Sequence, residues 1–211
     1  MSEPGALLTA PDPWIAQFAA TRGLRYEPEA DERWLRVWEP YATLKVPLRY
    51  AHSLLATGGI GSISLAMMIH ELPAPYLPRG IREVAAWIAI VQDTRITAHF
   101  AVTSDFAGIF GEPLDLVSMR RQNGGDAWFD SVFATFGESQ EAVNEGLTPS
   151  LKKLLMGWRT AIHAEVRPGG FVLCPAALPP DPTSLAWLAD AATAFGEKAT
   201  KKPLSPGRSM G

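Results

Sequence analysis

The chain has 211 residues, 47% of them hydrophobic and 19% charged, with a formal net charge of -3 and a pI near 5.8. That hydrophobic fraction excludes an intrinsically disordered chain, and the length suits one ordinary domain with a full core. The acidic balance excludes the basic domain or stripe of a general nucleic-acid binder, so no nucleic-acid partner is expected.

The opening residues, MSEPGALLTAPDPW, have neither a basic start nor a long apolar run and do not read as a secretory signal. The single cysteine, Cys174, excludes an internal disulfide; with no export signal, the expected location is the cytoplasm. Asp12-Pro13 places a capping side chain ahead of a proline that has no N–H to leave unpaired. A helix is predicted from Pro13 to Arg22, with Trp14, Ile15, Phe18 and Ala19 on one face and Gly23 as its stop. DERWLRVWEP, residues 31–40, adds a turn or two of helix.

Residues 52–72, HSLLATGGIGSISLAMMIHEL, admit several readings. Gly58-Gly59-Ile60-Gly61-Ser62 lacks the lysine of a P-loop, and after Gly59-x-Gly61 the dinucleotide pattern meets Ser64 instead of glycine. His70-Glu71 starts like a zinc-protease motif, but position 74 is alanine. Tyr50 to Ile69 carries no charged side chain and is long enough for a membrane span, yet His52, Ser53, Thr57, Ser62 and Ser64 dilute it around adjacent glycines. A β-hairpin fits best. Ile63, Leu65, Met67 and Ile69 alternate with Ser62, Ser64, Ala66 and Met68, and Thr57-Gly58-Gly59 supplies the turn. Pro47 then belongs at an edge or a strand start.

In AAWIAIVQDTRITAHFAVTS, residues 85–104, two apolar runs flank the polar turn Gln92-Asp93-Thr94-Arg95. Ile96, Ala98, Phe100 and Val102 alternate with Thr97, His99, Ala101 and Thr103, the period of a strand. Residues 104–128 are expected to be irregular and surface-lying. DAWFDSVFATFG, residues 126–137, is read as solvated acids mixed with buried Trp128, Phe129, Phe133 and Phe136. A short helix covers Gln140 to Glu145 and ends at Gly146. Thr148-Pro149 opens a helix with Leu151, Leu154, Leu155 and Trp158 on one stripe and Lys152 and Lys153 outside it. AIHAEVRPGGFVLCP, residues 161–175, is a hairpin closed by a type II turn at Arg167-Pro168-Gly169-Gly170. Asp181-Pro182 opens a last helix with Leu185, Leu188, Ala189, Ala192 and Phe195 on one face and Gly196 as its stop. The ending EKATKKPLSPGRSMG is polar, basic and proline-containing, the composition of a flexible tail.

No catalytic constellation emerges. The four histidines, His52, His70, His99 and His163, form no spaced metal pair, so no metal is expected. His99 and His163 fall on the polar faces of predicted strands and would meet near Glu165 only if those strands were neighbours; two half-exposed sheet histidines are the simpler reading. Asp105, Asp126 and Asp130 have no evident carboxylate partner, no G-x-S-x-G elbow occurs, and Arg120-Arg121 near Gly124-Gly125 reads as a solvated loop rather than an anion grip. Cys174, in the apolar run GFVLCP, reads as an inert buried thiol. No cofactor is expected. The tail offers a docking peptide, with Leu204 and Met210 as anchors, Lys201 and Lys202 for steering and Gly207 in its core.

LSPGRSMG resembles the cargo-loading peptides of encapsulin shells, which share a Leu-small-x-Gly core; here Pro206 replaces the hydrophobic residue before the glycine. WIAQFAATRGLRYEP, FDSVFATFGESQEAVNEGLTPSLKKLL and AEVRPGGFVLCP are similar to a group of uncharacterised bacterial proteins, with Phe129 to Pro149 the most specific part. Membrane helices often precede the soluble region in that group. The resemblance implies an α+β fold and lends no activity.

These readings combine into one α+β domain, residues 1–197, with a flexible basic tail, residues 198–211. A twisted antiparallel sheet built from hairpins is expected, covered by three main helices. The expected function is a non-enzymatic interaction or adaptor domain with a protein partner and no membrane span. The alternative is an enzyme or small-molecule binder with a pocket not visible as a motif, and a membrane-associated protein using residues 50–69 ranks third.

Overall fold

A computed structural model describes residues 12–41, 43–58, 61–73, 80–104, 119–176 and 178–200. The strands are β1 (Arg25–Glu27), β2 (Arg49–Gly58), β3 (Gly61–Pro73), β4 (Ile81–Asp93), β5 (Phe100–Thr103), β6 (Arg120–Gln122), β7 (Ala134–Gly137), β8 (Ile162–Arg167) and β9 (Gly170–Pro175). They form one sheet in the order β1-β2-β3-β4-β9-β8-β5-β7-β6, and all neighbours are antiparallel. The helices are α1 (Pro13–Arg22), α2 (Glu32–Leu35), α3 (Ala127–Val132), α4 (Gln140–Gly146), α5 (Pro149–Gly157) and α6 (Pro182–Ala199), and a 3-10 turn at Arg36–Trp38 continues α2. The fold is therefore α+β. Its three longest helices are the three expected, and short ones add to them.

The proline punctuation works as the chemistry requires. Asp12, Thr148 and Asp181 each accept from backbone N–H groups in the first turn of α1, α5 and α6, with proline at the first helical position. Gly23 ends α1 in the left-handed conformation, φ 64. Gly196 does not stop α6, which runs to Ala199 because Phe195 and Ala192 keep its inner face buried against the sheet.

Both faces of the sheet are covered. The main core lies between one face and α1, α3, α4, α5 and α6, and includes Leu65, Trp87, Phe100, Val102, Ala164, Phe171 and Phe195. Each large side chain fully buried there stabilises the fold by roughly 1.5–3 kcal/mol. The other face carries Tyr50, Ala66, Met68, Ile88, Ile90, Val172 and Cys174, covered by Leu35, Trp38, Tyr41 and Leu44 from the segment before β2. Alternate residues of β3 and β4 thus serve two cores, which explains the unbroken apolar runs Leu65–Ile69 and Val84–Val91 at their centres.

The stretch from residue 52 to 72 is a hairpin: β2 and β3 pair from Arg49↔Ile69 to Gly58↔Gly61, with a bulge between Ala51 and Leu54. Residues 59 and 60 lie outside the described residues. The two apolar runs flanking Gln92-Asp93-Thr94-Arg95 do not pair with each other, because β9 and β8 lie between β4 and β5. The chain turns away as Asp93 accepts from the Arg95 N–H at 2.9 Å, and Asp93 and Ile96 bond to Gly169 of the β8–β9 turn. The expected strand from Ile96 begins only at Phe100. Within the stretch expected to be irregular, β6 forms an edge strand and α3 begins at Ala127. No described helix is long and apolar enough to cross a membrane.

Candidate functional site

His99 and His163 do not meet. Phe100 pairs with Val166, so His99 stands four residues along β8 from His163, about 13 Å at strand spacing. His99 Nδ1 lies 2.9 Å from Glu138 Oε1 at the surface. His163 is not half-exposed. It faces the second core with Glu165, and Thr43 joins the two from the covering segment.

The geometry of that trio decides what it can do. Thr43 N–H and its hydroxyl donate to Glu165 Oε2 at 3.1 and 3.0 Å. The hydroxyl has one proton, so His163 Nε2 carries the ring proton and donates to Thr43 Oγ1. His163 Nδ1 is buried without a hydrogen bond. A nucleophile–base–acid set needs the carboxylate on the far ring nitrogen, so the order here is wrong for acyl transfer. Thr43, His163 and Glu165 are 2%, 1% and 1% exposed. Burial pushes the His163 imidazole down to about 3, so it stays neutral at physiological pH. The trio fastens the covering segment to β8. Nearby, the Tyr41 and Tyr50 hydroxyls lie 2.8 Å apart, and Tyr50 donates to Glu39 Oε1 at 2.9 Å. Burial pushes both phenols up.

This burial has a measurable consequence. Above pH 6.5 His163 is neutral in both folded and unfolded states. As pH falls from 6.5 towards 3, the unfolded chain takes a proton that the folded one refuses. Stability is therefore expected to fall by about 2 kcal/mol between pH 6.5 and 5 from this group alone. Asp31 and Asp93, held low by Arg33 and Arg95, and Asp181, held low by the Ser184 N–H, contribute stability that is lost only at lower pH. Urea midpoints followed over this range for the wild type and His163→Gln test it: the variant should show the flatter dependence, and equal slopes would refute the assignment.

The other sequence candidates are structural. Asp126 Oδ1 caps α3, accepting from the Trp128 and Phe129 N–H groups at 2.9 and 3.2 Å, and Asp130 accepts from Gly124 N–H at 2.8 Å. Gly125 N–H donates to Asn123, so the two glycine amides are already engaged and form no anion cradle. Cys174 is buried, its thiol pushed up by burial and set 3.6 Å from the Trp87 carbonyl. His52 sits at the β2 bulge with φ 51, its Nδ1 2.9 Å from the Tyr26 hydroxyl. Among the described residues no group of three or more His, Cys, Asp or Glu could hold a metal ion. Asp105 and the tail residues Lys201, Lys202, Leu204, Gly207 and Met210 lie outside the described residues.

Trp128 is also misplaced by the sequence reading. It is not buried: its neighbour Phe129 fills the core, while Trp128 is 68% exposed on the outer face of α3. Adjacent residues on a helix point about 100° apart, so in a six-residue helix with Phe129 inward, Trp128 is carried out. Beside it, α3 and α5 enclose a groove of about 510 Å³ lined by Trp128, Phe129, Pro149, Lys152, Lys153 and Met156. Lys152 Nζ donates to the Gly124 carbonyl and lies 5.9 Å from the Phe129 ring centroid. The groove is mainly apolar with a cationic wall, and no motif announced it because its two walls, α3 and α5, start 22 residues apart in the chain.

No family model and no curated protein matches the chain. Among solved structures, the chain is similar to the crystal structure of the mycobacterial trehalose monomycolate transport factor A. The TM-score is 0.60 at 10% identity, and the match covers 91% of this chain and 96% of that chain. At that identity the likeness shows the fold alone.

Proposed function

We propose that the protein is a non-enzymatic accessory protein that acts by holding a protein partner. The observation that carries this reading is Trp128, an indole standing in solvent beside an apolar groove. Tryptophan is the residue type most enriched among binding hot spots, and an uncovered one beside a groove is a natural anchor. The polar groups that looked like chemistry support the same reading, since Thr43, His163 and Glu165 are spent on one another inside the fold. The neighbour in fold is a transport factor, which supports an accessory role in a transport assembly; we place that role in the cytoplasm, the location expected from the sequence. The tail, with Lys201, Lys202, Leu204, Gly207 and Met210, adds a second docking arm.

The test is affinity capture from the native host with the full chain, a chain ending at Thr200, and Trp128→Ala. A partner held by the full chain and depleted by Trp128→Ala is the expected result. The chain ending at Thr200 should melt with the full chain, because α6 is complete at Ala199, and should hold the partner more weakly. A protein that captures no partner in any form and copurifies with a small molecule would favour the alternative, a small-molecule binder or enzyme using the groove.

A further inference from the structure

The groove also indicates the chemistry of what it binds. Val132 lies one helical turn beyond Trp128 on the same face of α3 and is exposed as well, so the apolar surface runs along the helix past the groove itself. A small molecule seated in the groove would touch Trp128 but leave Val132 in water. A helix laid between α3 and α5 would cover them and place its own apolar residues against Met156 and Phe129.

The charge of the walls fixes the rest. The α5 sequence, PSLKKLLMG, contains no acid. Neither Lys152 nor Lys153 has a carboxylate partner among the described residues. Among the described residues Asp126 is the one acid on the lining, and its carboxylate caps α3. The unmatched charge is positive. The chain's own tail does not suit it: residues 201–211 carry Lys201, Lys202 and Arg208 with no acid.

We propose that the α3–α5 groove receives an amphipathic helix of a partner protein, with apolar residues at i, i+3, i+4 and i+7 set against Trp128 and Met156, and acidic residues along the flank facing Lys153. The proposal rests on the accessory reading above and names its partner's chemistry.

The test uses full-length protein and labelled synthetic helical peptides about four turns long. One carries leucines at i, i+3, i+4 and i+7 with glutamate flanks; the other has the same leucines with lysine flanks. Vesicles of phosphatidylglycerol serve as an anionic lipid surface. The glutamate peptide is expected to bind, more weakly as salt rises, and to weaken about tenfold or more with Trp128→Ala. Lys153→Glu should weaken it comparably and turn preference towards the lysine peptide, while circular dichroism shows both variants folded. Equal binding of the two peptides, no binding of either, or a vesicle affinity that exceeds the peptide's would overturn the proposal. Failure of the accessory reading is separable. A native partner captured equally well by Trp128→Ala refutes the groove and keeps that reading. Peptide binding with no native partner captured supports the groove and refutes that reading.

Discussion

Gly170→Ala is expected to lower the melting temperature by about 10 °C, the effect of roughly 4 kcal/mol in a domain of this size. Gly170 opens β9 directly after the Pro168-Gly169 turn, with φ 152, a value L-residues rarely adopt. A Cβ there would meet the Val91 carbonyl oxygen and approach Trp38 Cζ2 and Cη2 at 2.9 and 3.0 Å. Neither obstacle can yield cheaply. Val91 belongs to β4, which is held to β9 at Val91↔Phe171 and Gln92↔Gly170. Trp38 is a core residue of the second face, with the Arg167 guanidinium 4.3 Å from its ring centroid. The contact between β4 and β9 is also the seam joining the hairpins β1 to β4 to the rest of the sheet. Gly169→Ala is the control. Its φ of 96 is also positive, but nothing lies within 4 Å of the added carbon, so only backbone strain of about 1–2 kcal/mol applies. Thermal unfolding by circular dichroism compares them. A Gly170→Ala protein melting with the wild type, or with Gly169→Ala, would show that the seam tolerates the carbon.

What the sequence shows and what it hides follow from the range over which each signal acts. Helix starts at Pro13, Pro149 and Pro182 were legible because capping is local: the aspartate or threonine, the proline and the N–H groups lie within four residues of one another. The β8–β9 hairpin was legible for the same reason, through its Pro-Gly turn. Strand order was not. Between β4 and β5 the polar turn looks like a hairpin turn, and only the distant insertion of β9 and β8 shows otherwise. Nor does alternation tell which face meets water when both faces are buried: His163 and Glu165 sit at the polar beats of β8 and lie under Thr43, 120 and 122 residues earlier. At the candidate site the error ran the other way. Residue type assigns Trp128 to the core, yet its neighbour Phe129 holds the inward position, and one residue on a helix separates core from surface.

Thr43→Val separates a structural latch from hidden chemistry at the buried trio. The substitution keeps shape and removes the hydroxyl, so the His163 ring loses the partner of Nε2 while Nδ1 already has none. Glu165 keeps the backbone N–H of residue 43 and loses the hydroxyl bond. Stranding a buried imidazole and weakening the hold on a buried carboxyl is expected to cost about 3 kcal/mol, read from urea unfolding. Adding His163→Leu should recover part of that loss, because two apolar partners leave no stranded polar atom. The cycle of the two single variants and the double should therefore give a coupling of about 2 kcal/mol. If the latch account holds, backbone amides on either side of Thr43 should also exchange faster in Thr43→Val, since β8 is what holds the covering segment down. A Thr43→Val protein as stable as the wild type would dismiss the latch. The fold would then be spending a buried hydroxyl, imidazole and carboxyl on something other than stability, and the non-enzymatic reading would be the first to be given up.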